Sequence, residues 1–387
     1  MNKVVRHILI FAICLFALCV NLSPVRAQDY AEEEEAVGLL DKVMTRLEQK
    51  QRYIPTVSGA VQIGYLYQNS PSLGTSSNSF TFNTARLNIK GKPFDWFHYN
   101  LQVDFANKVR ILDFNLNFHP LATTQARSQY INFWAGQSKT PLTLESQLGP
   151  ATFEAVEYSQ VITALCGYSN ALSPEIKNMA GGRDIGLALY GYALRVPWGG
   201  KDHDFFEYKV GVYNGSGMNC LDQDKMKDVS AAFYIHPTAA LTLGGSFYTG
   251  AYRMKVYDGK DTLDLQTRRD RWAGSLRYDD KAHWLIRAEY VGGKTHGQYS
   301  DGWYAAFQYT INPATFNQWA ILVKYDAYRY NMKRLPDYCN HQILAGINYR
   351  PMSWLYVQAH YSYRMDFKQH TITGQHHQFQ LTACLIY

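Results

Sequence analysis

Residues 84–105 read TARLNIKGKPFDWFHYNLQVDF. Ala85, Leu87 and Ile89 alternate with Arg86, Asn88 and Lys90; after a short turn at Gly91 to Asp95, Phe97, Tyr99, Leu101, Val103 and Phe105 alternate with His98, Asn100, Gln102 and Asp104. Period-2 alternation on both sides of a turn is the signature of a β-hairpin with one apolar and one polar face. The inner face of a soluble sandwich would be aliphatic. Here aromatic residues crowd both ends of the apolar face, an arrangement suited to lipid.

The same pattern recurs to the end of the chain. Sixteen candidate strands begin near Val57, Thr81, Trp96, Arg110, Arg127, Arg183, Phe205, Asp228, Ala239, Arg268, Ala282, Tyr299, Gln318, His341, Ser353 and Gly374. An even count returns both ends of a closed sheet to one side. Short connections, often with Pro or Gly, at Gly91 to Asp95, His119 to Ala126, Val196 to Asp204, His236 to Thr238, Asp279 to Lys281, Asn312 to Phe316 and Arg350 to Met352 are expected to be periplasmic turns. They alternate with longer ones, Ser138 to Gly182, Gly215 to Lys227 and Ala251 to Thr267, expected to face outside. Trp96, Trp198, Trp284, Trp319 and Trp354 lie at or beside the short turns, as an interfacial aromatic girdle would. Phe379, Leu381, Ala383, Leu385 and Tyr387 share one face of the last strand, which resembles the C-terminal strand that the outer-membrane assembly machinery reads.

The expected fold class is therefore all-β: a transmembrane antiparallel β-barrel of about 16 strands with a short N-terminal periplasmic helix. Residues 1–27 read as a signal peptide, with Lys3 and Arg6 before an apolar run from Ile8 to Val20 and a Val25-Arg26-Ala27 cleavage site. Over residues 28–53, Ala36, Leu40, Val43 and Leu47 recur at helical spacing behind the acidic run Glu32 to Glu35. This helix either self-associates in the periplasm or is a solvated leader. No run reaches the roughly 18 apolar residues of a spanning helix.

Thirty Tyr and 28 Gly in 387 residues fit an exported barrel whose lumen is lined with polar side chains. Without Lys3, Arg6 and Arg26, 35 Lys+Arg stand against 32 Asp+Glu, a balance near +3 that argues against a nucleic-acid partner. Cys166, Cys220, Cys339 and Cys384 lack metal-like spacing. Either all four are free thiols, or Cys166 and Cys220 are joined on the loop side.

Several segments resemble those of the phosphate-selective porin O/P-like outer-membrane porins: Ala85 to Gly91 with Phe94-Asp95-Trp96, Ala135-Gly136-Gln137-Ser138-Lys139-Thr140-Pro141 leading to Leu144-Glu145, Gly182-Arg183-Asp184-Ile185-Gly186, Val210 to Gly215, Arg287-Ala288-Glu289-Tyr290 and Lys324-Tyr325-Asp326. The resemblance covers roughly residues 57–387. It implies a sixteen-stranded, commonly trimeric porin whose third outer loop, here 138–182, folds inward. Localisation in the outer membrane of a Gram-negative bacterium follows, with outer-membrane lipid, lipopolysaccharide and the barrel assembly machinery as partners.

Alternation predicts Arg86, Lys90, Lys209, Arg271, Arg277, Arg287, Lys324 and Arg364 in the lumen, against Asp104, Asp113, Glu207, Glu289 and Asp326. Inward cations favour anions, and guanidinium suits phosphate; alternatively the charges pair across strands and only keep the wall polar. The third loop holds Lys139 and Lys177 against Glu145, Glu154, Glu157 and Glu175, so the expectation is a general, weakly anion-preferring or poorly selective diffusion porin. No cofactor or metal is expected. One alternative is a plugged structural or adhesive barrel. Another is a barrel-embedded hydrolase, although no G-x-S-x-G or H-E-x-x-H motif is present. His370, His376 and His377 near the last outer loop read as metal ligands or, more simply, as polar loop residues.

Overall fold

A computed structural model describes residues 53–106, 108–122, 129–166, 182–199, 201–222, 226–257, 262–295, 297–314, 316–330 and 338–387. The signal peptide, nearly all of the N-terminal helix and Lys177 lie outside the described residues.

Among the described residues sixteen strands form one closed antiparallel barrel. They are β1 (Thr56–Ser70), β2 (Thr75–Phe94), β3 (Phe97–Asp104) and β4 (Arg110–Phe118). Next come β5 (Asn132–Lys139), β6 (Arg183–Trp198), β7 (Lys201–Tyr213) and β8 (Asp228–Ile235). The third quarter is β9 (Leu241–Tyr257), β10 (Thr262–Asp279), β11 (Trp284–Thr295) and β12 (Gln298–Thr310). The last is β13 (Gln318–Arg329), β14 (Cys339–Met352), β15 (Leu355–Lys368) and β16 (Thr371–Ile386). Each strand pairs with its chain neighbours, and β1 closes on β16 from Ala60↔Ile386 to Asn69↔His377. Closure leaves no unpaired edge, so strand backbone polar groups are satisfied within the sheet even against hydrocarbon.

Several expected connections are strand in part, including Val196 to Asp204, where Val196↔His203, Pro197↔Asp202 and Trp198↔Lys201 pair, and Arg350 to Met352, which ends β14. The run Ala251 to Thr267 is mostly the paired ends of β9 and β10, which stay in register from Arg268↔Ala251 out to Thr262↔Tyr257. Alternation persists there, with Tyr252, Met254 and Val256 against Arg253 and Lys255, and Leu263 and Leu265 against Asp264 and Gln266, so the strand signal was present in the sequence. The turn placed at Gly91 to Asp95 is shorter. β2 runs through a bulge between Gly91 and Phe94, and Phe94 pairs with Phe97 across Asp95-Trp96.

The outer face carries exposed Leu187, Leu189, Phe233, Phe247, Ile321, Val323, Ile347 and Leu381. At the short-turn end, Trp96, Trp284, Trp319 and Trp354 are exposed, with Trp96 stacked on Phe94 and Trp319 on Tyr349. Such amphipathic rings sit well at a membrane–water boundary.

A sheet closed on itself has no core of its own, and here the connection between β5 and β6 provides one. Its residues Leu142, Val161, Ile162, Ala164, Leu165 and Cys166 are fully buried together with the wall residues Tyr248, Val291, Tyr304, Leu322, Tyr328 and Leu344.

Candidate functional site

The β5–β6 connection, called L3 below, leaves the wall at Thr140, whose N–H donates to Gly182 O at 2.8 Å. Among the described residues it makes one 3-10 turn at Glu145–Gln147 and a six-residue helix, α1 (Gln160–Leu165). Its partners lie on the polar faces of β8 to β16. Ser230 of β8 donates to Pro141 O at 2.7 Å, and Arg271 of β10 to Leu165 O at 3.0 Å. Asn348 of β14 donates to Glu154 O at 2.8 Å, and Gln378 of β16 to Glu157 at 2.9 Å. The apolar residues of these strands face the other way, so L3 lies inside the barrel along one half of the wall.

Ionic anchors hold it there. Lys324 Nζ is 2.7 Å from Glu145 Oε1 and 3.0 Å from Glu157 O, and Arg287 Nη1 is 2.5 Å from Glu154 Oε1. Glu289 accepts from the backbone N–H groups of Leu144 (2.7 Å) and Glu145 (2.9 Å), from Ser275 Oγ (2.5 Å) and from Tyr304 Oη (2.6 Å). Each of these buried charges has an opposite charge or several hydrogen-bond donors against it, the condition under which burial of a charge is tolerated. α1 settles onto the wall at Gly302, where a Cβ would stand 2.8 Å from Val161 Cβ. A side chain at 302 would hold the helix off.

This arrangement corrects the sequence-based picture of the lumen. Arg271, Arg287 and Lys324 face inward, yet they are only 1–2% exposed because L3 covers them. Of the loop acids, Glu145 and Glu154 are spent on those wall cations, and Glu157 is held by Gln342 and Gln378. The count of loop acids therefore says little about the charge met by a solute. Cys166 and Cys220 are not joined; both are free, and burial pushes the Cys166 thiol up, keeping it protonated.

The wall that the described residues of L3 leave bare, β2 to β7, carries the remaining inward charge. Arg86 Nε lies 3.4 Å from Asp104, and Arg86 Nη1 lies 3.8 Å from where a Cβ on Gly149 of L3 would stand, so this guanidinium faces the loop. Lys139 bridges wall and loop by donating to Ser146 O (2.8 Å) and Leu148 O (2.6 Å). Arg183 is paired with Asp113 at 2.9 Å and also reaches Gln102. Lys209 lies over the Trp134 ring, 5.9 Å from its centroid, and Lys90 is exposed. Arg86, Arg183 and Lys209 are each near enough to Lys139 for their charges to interact. The patch thus sets Arg86, Lys90, Lys139, Arg183 and Lys209 against Asp104, Asp113 and Glu207, an excess of positive charge facing the loop. Arg277 and Arg364 stand apart, paired with Asp279 and Asp366.

Sequence reasoning missed Arg183 as part of this patch. Strict alternation slips in β5, where the buried positions step from Trp134 to Gln137 around Gly136, which has φ +124°. That conformation is open to glycine and strained for other residues, and a bulge-like slip re-aims the residues beyond it. Also missed was the buried pair Arg269–Asp228 (2.8 Å), which with Asp184 secures Gly215 at the base of the connection after β7. Arg269 shares the face of Arg271 in an expected strand, so alternation could have found it, but its partner Asp228 lies 41 residues away in sequence. Among the described residues no group of three or more His, Cys, Asp or Glu is arranged to hold a metal ion.

No family model matches this sequence, and no curated protein is similar to it. Solved structures are similar at the level of fold. The high-pH structure of Pseudomonas putida OprB matches with a TM-score of 0.59 at 8% identity, over 90% of this chain and 97% of that one. The anion-selective porin from Comamonas acidovorans matches at 0.57 and 11% identity, over 86% and 99%. The trimer form of OmpT, an outer membrane protein of Vibrio cholerae, matches at 0.56 and 14% identity, over 86% and 100%. The chain therefore has the fold of outer-membrane barrels of this kind.

Proposed function

We propose that this chain is an outer-membrane porin of a Gram-negative bacterium, through which small hydrophilic solutes and ions diffuse passively with a preference for anions. The observation that carries the reading is the division of the inner wall. The described part of L3 lies on β8 to β16 with Glu145 and Glu154 paired to wall cations, and the opposite wall presents the cations Arg86, Lys139, Arg183 and Lys209. A solute passing between them meets a net positive surface, which lowers the electrostatic barrier for anions. Phosphate-like anions fit the guanidinium groups of Arg86 and Arg183, but both are shared with carboxylates. That sharing favours a general anion preference over a dedicated phosphate site, in a porin whose segments resemble those of the phosphate-selective O/P-like family.

In this reading the short turns face the periplasm and the long connections face outside. The apolar belt contacts lipid and lipopolysaccharide, and the strand ending at Tyr387 is the one that the assembly machinery engages. A homotrimer is supported by the trimer form of the similar OmpT. Transport through the narrowed lumen involves no chemical step.

The test is single-channel recording from the refolded mature protein in a planar bilayer under a KCl gradient. Discrete open steps with a reversal potential of anion-selective sign support the reading. A folded barrel that never conducts would sink it and favour a plugged structural barrel.

A further inference from the structure

At the long-connection end of the lumen, away from the basic patch, three residues from three strands line up. Ser70 Oγ, at the end of β1, is 2.8 Å from His376 Nδ1 in β16, and His376 Nε2 is 2.9 Å from Asp366 Oδ2 in β15. A carboxylate can only accept, so Nε2 carries the ring proton and Nδ1 accepts from the Ser70 hydroxyl. Hydroxyl, imidazole and carboxylate in this sequence are the arrangement by which a serine is activated as a nucleophile. The three meet only because the barrel closes: Ser70 lies 306 residues from His376 in sequence.

Local backbone features shape the cluster. The β15–β16 register shifts between Asp366 and Phe367, and bulges of this kind re-aim side chains beside functional sites. Opposite Asp366 stands Gly374, where a Cβ would lie 2.9 Å from Asp366 Oδ2 and 3.1 Å from His376 Nε2. Its missing side chain leaves room for the carboxylate and the ring to meet. Ser72 Oγ accepts from Gln375 N at 3.1 Å, tying the turn that follows Ser70 to the start of β16.

The cluster borders a cavity of about 190 Å³ lined by Ser70, Ser76, Gln68, Gln378, His376 and Arg364, among others. Arg364 brings a guanidinium to the same space, 28% exposed and 3.3 Å from the other oxygen of Asp366. A positive charge beside the attacked carbonyl stabilises an oxyanion. The lining side chains carry hydroxyl, amide, imidazole and guanidinium groups, which suit a hydrophilic substrate.

We propose that Ser70, His376 and Asp366 form a hydrolytic triad at the mouth of the lumen, acting on short-chain carboxylic esters of hydrophilic alcohols such as acetylated polyols. Ser70 Oγ attacks the ester carbonyl and its proton passes to His376 Nδ1. The carbonyl–alkoxy bond breaks, and the alcohol leaves with that proton. Water then attacks the acyl-serine, giving one proton to His376. The acid departs as Ser70 Oγ recovers the proton. Asp366 is the positioning residue that holds the ring.

The test uses the full mature chain, folded in detergent, with p-nitrophenyl acetate as substrate and a fluorophosphonate as covalent probe. The expected result is a fluorophosphonate adduct on Ser70 by peptide mass spectrometry, and ester turnover that falls about 100-fold in Ser70→Ala and in His376→Ala. Asp366→Asn slows adduct formation while the heat-modifiable folded band persists. Channel conductance of Ser70→Ala, recorded on the same preparation, stays at the unmodified value, so the porin reading is tested separately. Conducting, folded protein that leaves Ser70 unlabelled, or that hydrolyses the ester as fast with Ala at 70, would overturn the proposal.

Discussion

Lys324 and Glu145 form an ion pair across 179 residues of sequence, 2.7 Å apart and each almost wholly buried. One is on the wall and the other on L3, so this contact decides where the loop lies. Removing one partner of a buried pair leaves a charge without compensation, at about 3–5 kcal/mol. Lys324→Ala is expected to loosen L3, giving larger and noisier single-channel steps and a lower thermal unfolding temperature. Unchanged channel noise would mean that the remaining anchors hold the loop alone.

The basic patch predicts selectivity. Arg86→Glu reverses the charge that faces Gly149 of L3 and leaves Asp104 without its cation. The reversal potential in a KCl gradient should move toward cation preference, whereas Arg277→Glu, paired beside the Asp279 turn, should move it less. Equal shifts from both would place the constriction elsewhere.

Gly302 is where α1 meets the wall. A methyl group there would meet Ala327 O at 2.4 Å and Val161 at 2.8 Å. Overpacking of this kind costs about 1–3 kcal/mol. Gly302→Ala should make L3 more susceptible to limited proteolysis while leaving the barrel intact. Resistance equal to that of the original chain would show that the wall absorbs the methyl.

The seam between first and last strands rests on Gly59 and Tyr387, whose backbones exchange hydrogen bonds of 2.8 and 3.1 Å. A side chain at 59 would run into Arg86 O and the Tyr387 ring. Gly59→Val is expected to reduce the yield of folded barrel, read as the heat-modifiable band on a gel, more than Tyr387→Ala does. The reverse order would show that the terminal ring matters more than closure.

Cysteine labelling gives a third check on the seat of L3. Cys166 is buried at the end of α1, within L3, and Cys220 is half-exposed, both as free thiols. A maleimide should modify Cys220 in the folded protein and reach Cys166 only after denaturation. Labelling of both at the same rate would contradict the seat of α1.

The barrel was legible because lipid on one side and water on the other impose alternation residue by residue. All sixteen candidate strands therefore exist, even though some run well past their expected ends, as β9 and β10 do. The inward direction of Arg86, Lys209, Arg287 and Lys324 follows from the same local rule. Alternation says which way a side chain points and nothing about what comes to lie on it. Whether an inward cation meets solute or a loop carboxylate depends on contacts between residues far apart in sequence, such as Arg287 with Glu154 and Lys324 with Glu145. Likewise Ser70, Asp366 and His376 become neighbours only when β1 closes on β16. The sequence by itself determined a sixteen-stranded wall with a polar inside, because each residue's preference for lipid or water is local. Only the tertiary structure decided which charges remain open to the lumen, because burial beneath L3 and pairing across the seam are properties of the closed barrel.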